Sequence, residues 1–311
     1  MTGTSVKGMF EAVVTSNKQI GHRFYKLKLS FSRDGAKAFA DFRPGQFLEI
    51  DVSNIALPAP ENIPPDLLDA SSRNILLRRP FSCTDVTTHG DKTTADILYC
   101  VLGPATLRMT TIKPEDSLSI IGPLGNGFTV PENEKYALLV SGGMGIPPLQ
   151  HLGKSLSLNH PEIITTAFVG AKSKADLPLE GRLDEISQQL GFSVPVFAGY
   201  GIESIIATDN GSIGYKGFVT DCLIQWLEEN DIPSEEIIIY SCGPEKMLKK
   251  VSQIARDKNI DCQVSMERAM ACGIGLCQSC AIKCKAPDSD QSFYKMCCQD
   301  GPVFDSREVV F

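Results

Sequence analysis

The sequence predicts a mixed fold of three unlike parts: a small antiparallel β barrel, a parallel-sheet α/β layer and a short cysteine-rich C-terminal segment. Three observations carry this. Residues 7–130 are short strand-like runs separated by turn residues, with little helical period. Residues 135–258 alternate apolar strands with amphipathic helical stretches. Six of the eleven cysteines fall between Cys272 and Cys298. The expected divisions are therefore 1–130, 131–260 and 261–311.

In the first part the runs 9–14 (MFEAVV), 24–29 (FYKLKL), 46–52 (QFLEIDV) and 96–102 (DILYCVL) read as barrel strands. Residues 56–72 hold four prolines and several acids and read as a surface loop inserted in the barrel. In the second part, 137–140, 165–169 and 237–240 are buried strands, and 149–158 and 221–229 are helices. The last part is too short for a large core of its own, so a bound metal is expected to organise it. There is no internal repeat.

Composition narrows the function. The chain has 311 residues, 42% of them hydrophobic and 22% charged, which is the balance of a soluble globular protein rather than a disordered one. A net charge of −7 argues against a nucleic-acid surface. No run approaches the roughly 18 apolar residues that a membrane span needs, and the N-terminus lacks the apolar core of a signal peptide. A cytoplasmic location is expected. The odd, clustered cysteine count fits a metal site in a reducing compartment better than a disulfide framework. Cys83, Cys100, Cys222 and Cys262 lie in apolar or strand-like contexts and are expected to be inert packing residues.

Cys272, Cys277 and Cys280, followed by Cys298, reproduce the C-x4-C-x2-C…C spacing of a plant-type [2Fe-2S] site and so point to one-electron chemistry. Gly273 and Gly275 let the loop turn its amides inward. Zinc is the alternative for four thiolates, but zinc ribbons pair two C-x2-C knuckles and only Cys277 and Cys280 form one. Spacing does not separate Cys298 from the adjacent Cys297.

Two further constellations suit nucleotides. Arg79-Pro80-Phe81-Ser82 offers a cation, a fixed φ and a hydroxyl, a set that fits a flavin phosphate and equally an ordinary strand start. Gly103 to Thr106 and the glycine-rich residues 122–128 follow it, where backbone amides can approach a pyrophosphate. In the α/β part, Gly142, Gly143 and Gly145 link a strand to a helix, as a pyrophosphate loop does, although their spacing is not the Rossmann G-x-G-x-x-G. Cys242-Gly243-Pro244 again ends a strand and opens a helix. Asp209, at a strand end, suits a ribose 2′-hydroxyl and favours NAD over NADP; an ordinary Asp-Asn-Gly-Ser turn is the alternative.

Taken in order, R-P-x-S, G-x-x-T and G-P-L-G-N-G-F resemble the ferredoxin-NAD(P) reductase superfamily. The resemblance implies a ferredoxin-reductase-like FAD barrel, with Arg79 on the flavin phosphates, Ser82 near the isoalloxazine N5 and residues 103–106 around the pyrophosphate. It also implies an NAD(P) loop at residues 142–148 and a C-G-P-x-x-M segment, beginning at Cys242, beside the nicotinamide.

With the C-terminal cysteines, nearly the whole chain is similar to the electron-transfer subunits of type B dihydroorotate dehydrogenases. The most specific parts are residues 208–221, 270–280 and the C-x-D-G-P-V-F frame, which selects Cys298 as the fourth ligand and leaves Cys284 and Cys297 as bystanders. That likeness implies a catalytic partner with FMN that oxidises dihydroorotate. Electrons would pass singly through the [2Fe-2S] cluster to FAD and leave as hydride to NAD+, with no side chain required as acid or base. The flavin subunit of an NADH-dependent ferredoxin:NADP oxidoreductase shares these parts, but its first cluster ligand resembles aspartate where this chain has Cys272. An electron-transfer module of a hydrogenase or sulfite-reducing complex is a further alternative. Residues 56–72 and the wide Cys280 to Cys298 spacing depart from the family pattern.

Overall fold

In a computed structural model, which describes residues 6–130, 133–178, 194–286 and 291–311, the first part is a closed six-stranded antiparallel barrel. Its strands are β1 (Gly8–Gln19), β2 (Phe24–Ser32), β3 (Phe47–Ile50), β4 (Arg79–His89), β5 (Lys92–Cys100) and β6 (Ser117–Leu124), in the order β1-β2-β5-β4-β3-β6. Alternation builds it. Along β2, Leu27, Leu29 and Phe31 are buried and point inward, while the residues between them are partly exposed. Helix α1 (Arg33–Ala40) closes one end, stacking Phe39 on Phe31 with ring centroids 4.1 Å apart. At the other end lie the insertion, with the short α2 (Leu68–Ser71), and α3 (Pro104–Met109).

The insertion is anchored to the barrel rather than loose. Arg23 donates to both Asp66 oxygens, at 2.9 and 2.5 Å. Thr111 Oγ1 donates to the Ala56 carbonyl at 3.1 Å, and Arg108 to that of Ser71 at 3.1 Å. Between the insertion and the barrel end lies an open pocket of about 700 Å³ lined in part by Arg23, Tyr25, Asn62 and Lys113.

The second part is a seven-stranded sheet in the order β10-β9-β8-β7-β11-β12-β15. Strands β7 (Tyr136–Gly142), β8 (Ile164–Ala171), β9 (Glu203–Thr208), β10 (Tyr215–Lys216), β11 (Ile237–Cys242) and β12 (Asp261–Ser265) run parallel. The connecting helices include α4 (Ile146–Asn159), α5 (Pro195–Ala198), α6 (Val219–Glu229) and α7 (Glu245–Asp257). Strands β13 (Ala281–Lys285) and β14 (Ser292–Met296) form a separate hairpin, and β15 (Val303–Asp305) returns antiparallel to β12.

The C-terminal part does not build a core of its own. Strands β12 and β15 belong to the nucleotide-side sheet, and Cys280, Ile282, Cys284, Cys297 and Cys298 share one buried cluster with Val251 and Ile254 of α7. The cysteine segment is thus an excursion from the sheet edge. Among the described residues no helix is long and apolar enough to cross a membrane. Cys83, Cys222 and Cys262 are buried and Cys100 is half-buried, and burial raises the pKa of all four.

Candidate electron-transfer site

The Arg79-Pro80-Phe81-Ser82 motif opens β4 and lies antiparallel to β3, with Ile50 opposite Arg79, Glu49 opposite Pro80, Leu48 opposite Phe81 and Phe47 opposite Ser82. The two adjacent arginines have different duties. Arg78 donates to the Ser119 carbonyl at 2.7 Å and hydroxyl at 3.0 Å, and stands 3.5 Å from Asp51. Arg79 donates only to the carbonyls of Leu77 and Arg78 and makes no ion pair among the described residues. Arg79 is therefore the cation left for an anionic ligand. Phe81 meets buried Tyr99 edge to face at 6.4 Å.

Beyond β5, Thr106 caps its own turn. Its hydroxyl accepts from the amides of Leu102 and Gly103, at 3.0 and 3.3 Å. A side chain so used shapes the backbone for a ligand rather than gripping it. A Cβ added at Gly103 would meet nothing within 4 Å, so this turn faces open space.

The nucleotide loop sits where sheet topology favours a ligand. From β7 the chain moves to β8 on one side, and β11 lies on the other, so the crevice between the C-terminal ends of β7 and β11 is the switch point of the sheet. Gly142 ends β7 and Gly143 and Gly145 follow it; Cys242 ends β11 and Gly243 follows it. The two turns interlock, since a Cβ on Gly145 would lie 1.9 Å from the Cys242 carbonyl oxygen and one on Gly142 2.7 Å from Met247 Sδ. Gly143, at φ +51°, has only open space where its Cβ would be. Burial pushes the Cys242 thiol up to about 12, against a hydrogen bond with Ser265, so it is no nucleophile near neutral pH. Asp209 lies apart from this crevice, exposed at the end of β9, two strands away from β7.

The four cysteines form two pairs. The Cys277 amide donates to Cys272 Sγ at 3.4 Å, and the Cys298 amide to Cys280 Sγ at 3.4 Å. Gly273 and Gly275 hold φ of +64° and +87° between the first two ligands. Two thiol pairs fit the two irons of a [2Fe-2S] cluster held by four cysteines. Hydrogen bonds from the Ser279 hydroxyl and amide, helped by Cys272, lower the Cys277 thiol to about 6, toward the thiolate that binds iron. Cys297 turns the other way and donates to the Met266 carbonyl at 3.3 Å; Cys284 is buried in β13.

The cysteine segment is joined to the barrel at Asn126 and at Glu49. Asn126, in the glycine-rich run after β6, donates to the carbonyls of Asp300 and Val303 at 3.0 and 2.9 Å and accepts from the Val303 amide at 3.0 Å. Gly125, at φ +70°, has no room for a Cβ, which would fall 2.7 Å from the Gly301 carbonyl. The second contact is invisible in the sequence. Glu49 is 1% exposed, its Oε1 has no hydrogen-bond partner among the described residues, and a Cβ on Gly273 would come within 2.5 Å of its carboxyl. Burial raises the Glu49 pKa, opposed by Arg78. The loop that holds Cys272 thus rests on the strand pair that carries the flavin motif.

Comparison with known proteins identifies the family. Residues 267–310 match the family model of the iron-sulfur cluster binding domain of dihydroorotate dehydrogenase B, and residues 139–253 that of the oxidoreductase NAD-binding domain. The chain is 35% identical to the dihydroorotate dehydrogenase B (NAD(+)) electron transfer subunit of Caldanaerobacter subterraneus, over 97% of this chain and 98% of that one. It is 35% identical to the Listeria innocua subunit, over 96% and 98%. A solved NADH-dependent reduced ferredoxin-NADP oxidoreductase aligns with a TM-score of 0.70 and 26% identity, covering 100% of this chain and 91% of the other. A ferredoxin NADP+ reductase from Neisseria gonorrhoeae, at 16% identity and a TM-score of 0.53 over 84% and 93%, shares the fold. With a third of its residues matched along nearly its whole length, the chain belongs to the family of dihydroorotate dehydrogenase B (NAD+) electron transfer subunits.

Proposed function

We propose that this chain is the electron-transfer subunit of a cytoplasmic NAD-dependent dihydroorotate dehydrogenase, serving pyrimidine biosynthesis beside an FMN-containing catalytic subunit. The observation that supports the reading is the seating of the cysteine loop on Glu49, whose strand pairs with the one that carries Arg79 to Ser82. When bound, the [2Fe-2S] cluster passes electrons singly, FAD takes them singly and gives them up in a pair, and NAD+ accepts the pair as hydride.

The division of labour follows the three parts, residues 1–130, 131–260 and 261–311. Arg79 holds the flavin phosphates, Pro80 and Phe81 shape the strand start, Ser82 faces the flavin ring edge, and Gly103 with Thr106 gives the pyrophosphate a turn it can approach. Gly142, Gly143 and Gly145 cradle the NAD pyrophosphate, Cys242 and Gly243 wall the nicotinamide, and Asp209 selects the ribose hydroxyl. Cys272, Cys277, Cys280 and Cys298 would hold the [2Fe-2S] cluster. Exposed Ile274 and Leu276, at the tip of the cysteine loop, meet the partner subunit.

Co-expression with the FMN subunit tests this. The purified complex is expected to contain flavin and two irons per chain and to reduce NAD+ with dihydroorotate. A complex that oxidises dihydroorotate with an artificial acceptor but never reduces NAD+ would refute the assignment.

A further inference from the structure

The strand that opens with the flavin motif and the helix that opens at the nucleotide loop are tied side chain to side chain. Lys154, on α4, places Nζ 2.6 Å from both oxygens of Asp85, on β4, and donates to Thr87 Oγ1 at 3.2 Å. Thr87 Oγ1 donates in turn toward the Asp85 oxygens at 3.3 Å. The pair is mostly shielded, with side-chain exposures of 20% for Lys154 and 29% for Asp85. One helical turn earlier, His151 stacks on Phe42 of the barrel, the rings 6.1 Å apart and 16° from parallel.

The strand is shaped for this contact. Pairing of β4 with β5 slips between Cys83 and Asp85, which sets Cys83 opposite Ile97 and Asp85 opposite the adjacent Asp96. Such an irregularity re-aims a side chain. Here it separates buried Thr84, whose hydroxyl donates to the Asp96 carbonyl, from Asp85, which reaches out of the barrel to α4. Asp85 lies three residues after Ser82, and Lys154 nine after Gly145.

We infer that the Lys154–Asp85 pair is a positioning device for hydride transfer, fixing the nucleotide loop relative to the flavin strand. Stability alone is a poor explanation, because a single partly exposed ion pair contributes little to folding. Orientation is worth more: a displacement of about 1 Å between reacting groups costs on the order of 100-fold in rate. The inference rests on the reading of the two motifs as flavin and NAD sites.

The test compares the holo complex with its Lys154→Met, Asp85→Asn and Lys154→Arg variants. Single-turnover flavin reduction by NADH gives the rate. NAD+ titration by flavin fluorescence gives the dissociation constant, and thermal unfolding gives Tm. Lys154→Met and Asp85→Asn are expected to slow flavin reduction by about 10-fold or more, with the dissociation constant within about twofold and Tm within about 3 °C of the unmodified complex. They should also alter the long-wavelength absorbance of nicotinamide bound beside flavin. Lys154→Arg should retain most of the rate. Unchanged rates in both neutral variants, or losses accounted for by weaker NAD+ binding or a fall in Tm, would overturn the inference. An unmodified complex that contains no flavin, or whose flavin NADH does not reduce, would overturn the site reading beneath it.

Discussion

His151 is a buried base whose protonation opposes folding. The ring is 6% exposed and its Nδ1 has no hydrogen-bond partner among the described residues. Burial, with Lys154 nearby and only partly offset by Asp85, lowers its pKa to about 4 from an ordinary value of 6.5. Below pH 6.5 the unfolded chain takes up a proton here that the folded chain refuses, so stability falls as pH falls from 6.5 to about 4. At pH 5.5, one unit below the ordinary value, the loss is about 1.4 kcal/mol, growing to about 3 kcal/mol at pH 4. His151→Leu keeps the apolar contact with Phe42 and removes the titration. In urea denaturation at pH 7.5 and 5.5, the native protein should lose about 1.4 kcal/mol more between the two conditions than the variant. Equal losses would show that His151 is protonated in the folded protein, and the argument from burial would fail.

Three other outcomes are expected. Gly145→Ala forces a methyl into the Cys242 carbonyl and should weaken NAD+ binding at least about 10-fold or prevent folding, read by fluorescence titration and by solubility. Cys298→Ser should abolish the cluster while Cys297→Ser retains it, measured as iron per chain and by the electron paramagnetic resonance signal of the reduced protein. Asp placed at both Ile274 and Leu276, which are 48% and 78% exposed, should prevent co-purification with the FMN subunit while leaving flavin and iron content unchanged.

The two folded layers are legible in the sequence because each period reports one kind of burial. Strand 24–32 alternates since one side faces the barrel interior, and 237–240 is continuously apolar since helices cover both faces of a parallel sheet. The cysteine ligands are legible for a different reason, since a loop around a small cluster fixes their spacing. What escapes is long-range. The strands at 261–265 and 303–305 are too short to show a period, and they find each other only across the cysteine excursion. Glu49 reads as the polar member of an alternating strand, yet the loop 224 residues later buries it. Asp85 and Lys154 look like ordinary surface charges until a β-bulge and a helix bring them together. Thr106 is found as a site residue by its motif, while its hydroxyl is occupied in holding its own turn.

The cysteine segment leaves the sheet after Ser265 and rejoins it at Val303, and those two residues pair directly, with the Met266 amide donating to the Pro302 carbonyl at 2.8 Å. Both ends of the excursion are therefore stitched shut at one sheet edge. The segment between residues 266 and 302 is a closed loop held together at its base, and its packing under α7 and on Glu49 fixes where the four cysteines stand.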